Sequence, residues 1–244
     1  MISIILAGGL GKRMNSEVPK VLHIVNGKPM ICHVIDRALE LNSEKILIIV
    51  GKYKEIIKQT IAEYITTDKI RYIIQDEPLG TGNAIMSCIP FLKNINTTED
   101  QDFLILSGDV PLIKYDTLMY LTNFKKGVNC LLSFILENPK GYGRILSNEK
   151  GEIEKIIEEK DCTDIQREIT SVNCGIYSLN FKTLLLSLKI QNENMAKEYY
   201  LTELIELAYK DGQPFHEFFL LNEKKNEIAN INTKEDLEKI NNFI

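Results

Sequence analysis

Short apolar runs alternate with longer amphipathic stretches along much of the chain, and no other feature of the sequence limits its fold as tightly. Runs at 2–7, 45–50, 70–75, 103–107, 130–136 and 172–179 read as strands, and helical patterns lie between several of them, at 30–41, 53–65, 82–89 and 117–124. Parallel strands need long crossovers and bury both faces of their sheet. The alternation therefore predicts an α/β chain with a largely parallel sheet flanked by helices. After Leu136 the pattern changes. Gly141-Tyr142-Gly143-Arg144-Ile145, a hairpin-like turn at Glu149-Lys150-Gly151-Glu152 and a strand over 152–158 suggest an antiparallel lobe, followed by helices near 181–188 and 201–209. No Pro/Gly/Ser-rich linker and no fixed-period repeat divides the halves, so the chain reads as one domain with two lobes.

With 244 residues, 44% of them hydrophobic, the chain is long enough to bury roughly 70 to 75% of its unfolded surface without a metal or disulfide staple. Lys and Arg number 29 against 34 Asp and Glu, a net charge of −5, which argues against a generic binder of phosphate backbones. No nucleic-acid partner is expected. Cys32, Cys88, Cys130, Cys162 and Cys174 are odd in number, far apart and without a CxxC pair, as in a reducing cytoplasm. The apolar opening is too short for a signal peptide, and no run of about 18 apolar residues marks a membrane span.

The first apolar run opens into Leu6-Ala7-Gly8-Gly9, then Gly11-Lys12-Arg13-Met14. Glycines there let backbone NH groups approach an anion closely. The dinucleotide fingerprint GxGxxG fails because Met14 stands where the third glycine belongs, and the Walker loop fails because Arg13 follows Gly11-Lys12. What remains is a glycine loop with Lys12, Arg13 and, after Pro19, Lys20. These cations suit a triphosphate or pyrophosphate, although the letters also fit a tight βα turn with solvated basic residues.

That loop, followed by Pro19-Lys20-Val21-Leu22-His23 and Gly27-Lys28-Pro29-Met30, resembles the opening of the sugar-1-phosphate nucleotidyltransferases. In particular it resembles the uridyltransferase domain of the bifunctional N-acetylglucosamine-1-phosphate uridyltransferase family. The likeness continues through Leu79-Gly80-Thr81-Gly82-Asn83-Ala84, Gly108-Asp109-Val110-Pro111-Leu112, Gly141-Tyr142-Gly143-Arg144-Ile145, Lys160-Asp161 with Thr163-Asp164 and Gln166-Arg167, Val172-Asn173 with Gly175-Ile176, and Glu198-Tyr199-Tyr200-Leu201-Thr202-Glu203. The glycine loop identifies only the superfamily, whereas the last four blocks are much more specific. The resemblance implies a Rossmann-like fold with a nucleotide-binding lobe at about 1–136, a smaller antiparallel sugar-binding lobe at about 137–227, and a C-terminal segment returning to a metal site. It implies a cytoplasmic enzyme that joins UTP to N-acetylglucosamine 1-phosphate, giving UDP-N-acetylglucosamine and pyrophosphate, with Mg²⁺ as cofactor.

The same resemblance assigns Arg13 and Lys20 to catalysis and Leu6, Ala7, Gly8, Gly9, Gln75, Gly80 and Thr81 to the nucleotide. Gly143, Glu158, Asn173, Tyr200 and Thr202 are assigned to the sugar, and Asp109 and Asn232 to the metal. Taken alone, most of these residues have plainer readings. Asp109 follows an apolar strand, where α/β folds place ligands, but Gly108-Asp109-Val110-Pro111 is equally a turn. Asn232 fits a helix cap before Lys234. Gln75 reads as a surface strand residue, Gly80-Thr81-Gly82 as a helix-capping turn, Gly143 as a turn, Glu158 as part of an acidic run, and Tyr200 as core. His23 and His33 lack partners at metal spacing and read as structural.

The sequence departs from the family pattern at Ser107, where an aromatic is common, and at Gly8, where alanine is frequent. The bifunctional family continues into a left-handed β-helix carrying an acetyltransferase, and this sequence contains no such repeats. Acetyl transfer and trimerisation through that helix are therefore not expected, and no other oligomeric state is implied. The competing readings are a uridylyl- or thymidylyltransferase for another sugar 1-phosphate, and a non-catalytic protein that binds nucleotide sugars in a regulatory role.

Overall fold

The computed structural model describes residues 1–9, 11, 14, 16–124, 127–229, 231 and 233–241. Among them, four parallel strands form one side of a mixed sheet, with β5 at its edge: β1 (Ile2–Leu6), β4 (Lys45–Val50), β5 (Ile70–Ile74) and β6 (Asp102–Ser107). β1 pairs with β4 on one side and β6 on the other, and β4 pairs with β5. Beyond β6 the sheet continues through β10 (Ser171–Asn180), antiparallel to both β6 and β7 (Asn129–Ile135), and ends at β11 (Phe215–Phe219), parallel to β7. β8 (Arg144–Ser147) and β9 (Ile153–Ile157) pair with each other, and β8 joins β10 at Val172. The expected α/β class, with helices on a largely parallel sheet and a smaller antiparallel part, is what the chain forms.

The continuous apolar runs have a direct cause: both faces of the central strands are buried. Alternate residues go to opposite faces of a strand. Ile46, Ile48 and Val50 join one core cluster, together with Ile5, Leu104 and Leu106. Leu47 and Ile49 join the other, with Ile4, Phe103 and Ile105. Helices α1 (Met30–Glu40), α2 (Lys54–Tyr64) and α4 (Tyr115–Thr122) cover the first face through Ile31, Ile35, Ile57, Ile61 and Leu118. α3 (Thr81–Asn94), α6 (Phe181–Leu185) and α7 (Glu203–Lys210) cover the second through Ile85, Cys88, Leu184 and Ile205. Each fully buried Ile or Leu contributes about 1.5–3 kcal/mol, so two sealed faces hold the strand ends firmly in place.

Several elements differ in extent from the sequence reading. A short hairpin of β2 (Ile24–Val25) and β3 (Lys28–Pro29) precedes α1, a four-residue helix α5 (Asp164–Arg167) carries a capping box, and α8 (Lys234–Asn241) ends the described chain. α3 runs past Pro90 to Asn94, because Ile89 and Leu92 remain buried on its inner face and outweigh the lost backbone bond. Val25, Met30, Ile231 and Ile240 form a third small core that clamps the C-terminal segment onto the hairpin. Among the described residues, no helix is long and apolar enough to cross a membrane.

Candidate active site

The order β6-β1-β4-β5 places a topological switch point at β1, where one crossover leads to β4 and the chain later returns on the other side as β6. Ligands of open α/β sheets bind outside the carboxyl ends of the strands at such a point. A cleft of about 510 Å³ opens there, lined by Leu6, Ala7, Gly8, Gly9, Gly11, Lys20, Val21, Gln75, Pro78, Gly80, Thr81, Ala84, Ser107, Asp109 and Glu198. The backbone is tied across the switch by Gly108 N donating to Leu6 O at 3.0 Å. Gly11 has φ +59°, and a Cβ there would lie 2.9 Å from Lys20 Cβ, so glycine lets the loop press against the Lys20 stem. Lys20 begins a 3-10 turn, Lys20–Leu22, whose Val21 and Leu22 are buried and anchor it.

Lys20 Nζ is ion-paired with Asp109 Oδ2, and the Ser107 hydroxyl donates to Asp109 Oδ1 at 2.5 Å. Both carboxylate oxygens thus have fixed partners at the end of β6. Ile231 N donates to the Asp109 carbonyl at 3.3 Å, so the C-terminal segment returns to this loop. On the far side of the cleft, Gln75 is only 6% exposed, which overrides its reading as a surface residue. Its amide nitrogen donates to Gly80 O at 3.0 Å and to Asn83 Oδ1 at 2.8 Å. Gly80 caps α3, as a turn reading allows, and it also lines the cleft.

A second cluster lies beside the cleft. Asn173 N donates to Gly143 O at 3.0 Å, and a Cβ on Gly143 would stand 3.6 Å from Glu158 Oε1. The Thr202 hydroxyl donates to that same Glu158 oxygen at 2.9 Å. Asn173 is held in turn, its amide donating to the buried Tyr177 hydroxyl at 2.6 Å while its oxygen accepts from Gly175 N at 3.1 Å. Burial pushes the Glu158 carboxyl above its usual range, opposed by the Thr202 bond and reinforced by Asp161 and Glu198. Burial also pushes the Tyr200 phenol up to about 12, with Asp161, Glu158 and Glu198 adding to it. Tyr200 therefore feels both Glu158 of the second cluster and Glu198 of the cleft wall.

One strap of chain joins the two groups. Tyr199 N donates to Leu79 O at 2.8 Å, Gly82 N donates to Tyr199 O at 2.7 Å, and Leu201 N donates to Thr81 Oγ1 at 3.0 Å. The cleft and the second cluster therefore share a wall.

Residues 2–233 match the family described as Nucleotidyl transferase. The chain is 44% identical over 241 residues to a protein of Acanthamoeba polyphaga mimivirus named "Probable UDP-N-acetylglucosamine pyrophosphorylase", covering 97% of this chain and 93% of that one. This chain belongs to the nucleotidyl transferase family. Its fold is shared with a Bacillus anthracis crystal structure named "Putative Glucose-1-Phosphate Thymidylyltransferase", in complex with a sucrose. That superposition has a TM-score of 0.74 at 19% identity and covers 100% of this chain and 95% of the other.

For a nucleotidyl transferase, the fold gathers the residues singled out in the sequence to a notable degree. Leu6, Ala7, Gly8, Gly9, Lys20, Gln75, Gly80, Thr81 and Asp109 line one cleft, and Gly143, Glu158, Asn173 and Thr202 form one bonded cluster with Tyr200 beside it. Arg13 and Asn232 lie outside the described residues. Sequence reasoning passed over Ser107, Asn83 and Glu198 as site residues. Asn83 and Glu198 stood inside the family-like blocks and Ser107 only as a departure from the family pattern; Asn83 gains its role from Gln75, Glu198 from its place on the cleft wall, and Ser107 from its bond to Asp109. Arg144, 1% exposed, also went unnoticed: it ties Glu159 Oε2 at 2.7 Å to the loop carrying Gly143. His33 bonds the Val25 carbonyl at 2.8 Å, as its structural reading expects. The five cysteines are buried and free, and burial raises the Cys32 and Cys130 thiols to about 11, which leaves them unreactive.

The donor set around Asp109 fits a hard divalent cation. Such an ion takes one or two protein oxygens and fills its remaining positions with phosphate oxygens and water. Among the described residues no group of three or more His, Cys, Asp or Glu forms a dedicated metal cage. Asp109, one of two carboxylates lining the cleft, meets that requirement through lone pairs beyond those taken by Lys20 and Ser107.

Proposed function

We propose that this chain transfers uridylyl from UTP to N-acetylglucosamine 1-phosphate, releasing pyrophosphate and UDP-N-acetylglucosamine. The observation that carries this reading is the single cleft in which Gly8, Gly9, Lys20, Asp109 and Gln75 converge beside the Glu158–Thr202 cluster. The mimivirus relative's name supports the choice of sugar and base. We read the chain as one domain, with a nucleotide lobe at about 1–136, a sugar lobe at about 137–227 and a C-terminal segment beyond. We place it in the cytoplasm as a monofunctional enzyme whose partners are its two small substrates.

In the reaction, a phosphate oxygen of the sugar 1-phosphate forms a new bond to the α-phosphorus as the bond to the bridging oxygen of pyrophosphate breaks. The attacking oxygen is already ionised at neutral pH, so no general base is required. Catalysis reduces to holding two anions in line and balancing charge as it develops. The glycine loop brings backbone NH groups to the triphosphate, while Lys20 and Arg13 supply cationic donors to it. Gln75 and the Gly80-Thr81 backbone receive the uracil edge. Gly143 leaves room for the sugar ring, and Glu158, Asn173, Tyr200 and Thr202 meet its hydroxyl and acetamido groups. Asp109, with Asn232, would hold Mg²⁺, which when bound supplies Lewis-acid stabilisation of phosphate charge.

Pyrophosphate release across a matrix of nucleotides and sugar phosphates tests this reading. UTP with N-acetylglucosamine 1-phosphate is expected to exceed glucose or galactose 1-phosphate, and dTTP, by about tenfold or more in kcat/KM. Equal or faster turnover with another pair reassigns the substrate. UTP binding without pyrophosphate release from any pair makes the protein a regulatory binder.

A further inference from the structure

We infer that Asn83 is a positioning residue for base selection: it locks the Gln75 amide so that only its carbonyl oxygen faces the cleft. This deepens the proposed function and rests on its reading of Gln75 as the base-edge contact.

An amide side chain can present either a donor or an acceptor by rotating half a turn. A free Gln75 could therefore meet uracil, whose N3 carries a hydrogen, or cytosine, whose N3 is a bare acceptor. Two partners remove that freedom. Gly80 O, a backbone carbonyl, only accepts, so the group facing it at 3.0 Å must be the NH2. Asn83 Oδ1 takes a second bond from the same nitrogen at 2.8 Å. Both hydrogens of Gln75 Nε2 are then committed inside the protein. The oxygen is left over Gly8, where an added Cβ would lie 2.8 Å from Gln75 Oε1. Gly8 and Gln75 both line the cleft, so a base edge entering there meets an acceptor. Uracil N3–H satisfies it, whereas cytosine N3 would set two lone pairs against each other. Asn83 sits at the third position of α3, held by the helix backbone and two residues beyond the Thr81 wall of the cleft.

The test is the binding of UTP and CTP, each with Mg²⁺ and without sugar phosphate, by titration calorimetry on the full chain. The wild type is expected to favour UTP by about 100-fold, the scale on which a well-placed polar contact discriminates bases. Asn83→Leu removes one of the two acceptors and leaves the amide held by Gly80 O alone, so that it turns more readily. It is expected to narrow the ratio about tenfold, mainly through tighter CTP binding. Asn83→Asp keeps an acceptor oxygen at the same position and should hold the wild-type ratio, a rescue that a role in stability alone would not produce. If Asn83→Leu does not fold, Asn83→Ala removes the same acceptor with a helix-favouring side chain and carries the same comparison. A ratio unmoved in the acceptor-free variant, or equal losses for both nucleotides, overturns the role of Asn83 while leaving the transferase reading standing. Failure of sugar transfer leaves the nucleotide ratio readable, and a wild type that binds neither nucleotide overturns both.

Discussion

Asp109→Asn is expected to lower turnover by about a thousandfold while leaving the fold intact. The carboxylate stands at the end of β6 with Oδ2 paired to Lys20 and Oδ1 accepting from Ser107. An amide of the same shape fills the space, but it brings no negative charge to Lys20 and is a poor ligand for a hard cation. Losing metal stabilisation of transferring phosphate removes several kcal/mol from the barrier reduction, which sets the thousandfold scale. UTP binding without metal should be unchanged or tighter, because a negative charge no longer faces the phosphates. Pyrophosphate-release kinetics beside a thermal melt separates these effects. Turnover within tenfold of wild type removes Asp109 from the mechanism.

Gly80→Ala is expected to have the largest effect on stability, about 3–5 kcal/mol, seen as a fall of roughly 10 °C in Tm. Gly80 has φ +116°, a region closed to side-chain-bearing residues at little cost. Its added Cβ would lie 2.5 Å from Tyr199 O and 2.9 Å from Tyr199 N. Both are backbone atoms of the strap that joins the Glu158–Thr202 cluster to the cleft, so no rotamer change relieves the contact. That backbone is pinned on both sides by its bonds to Leu79 and Gly82. The strap must shift or the turn must open, and either movement displaces the Gly80-Thr81 wall against which Gln75 is held. Differential scanning calorimetry decides the matter, and a Tm within 2 °C of wild type contradicts the tight packing of strap on turn.

The legible part of the fold was the part that physics repeats along the chain. β1, β4 and β6 could be read because burial on both faces keeps nearly every position apolar, β5 from Ile70, Tyr72, Ile73 and Ile74 despite the exposed Arg71, and α1 because its inner face recurs at helical spacing. β11 was missed because Phe215-His216-Glu217-Phe218-Phe219 mixes aromatic and charged residues on an edge strand paired only with β7. The hairpin of β2 and β3 was missed because two-residue strands carry no period at all. In the site, glycines and Asp109 were legible from their place after apolar runs. The environment of Gln75 was not, since its burial depends on Gly80 and Asn83 folding back over it. Likewise, nothing near Glu158 in sequence announces Thr202, 44 residues away, as the donor to its carboxylate.

A crystal structure of the protein with UTP and Mg²⁺ bound is the most direct test that one cleft gathers the triphosphate, the cations and the metal ligand. The expected result is the triphosphate along the Gly8–Gly11 loop, with Lys20 on a phosphate, the metal ion on Asp109 and uracil N3 facing Gln75. A triphosphate lodged elsewhere, for instance in the cavity of about 400 Å³ lined by Arg37, Lys114 and Lys224, would contradict it.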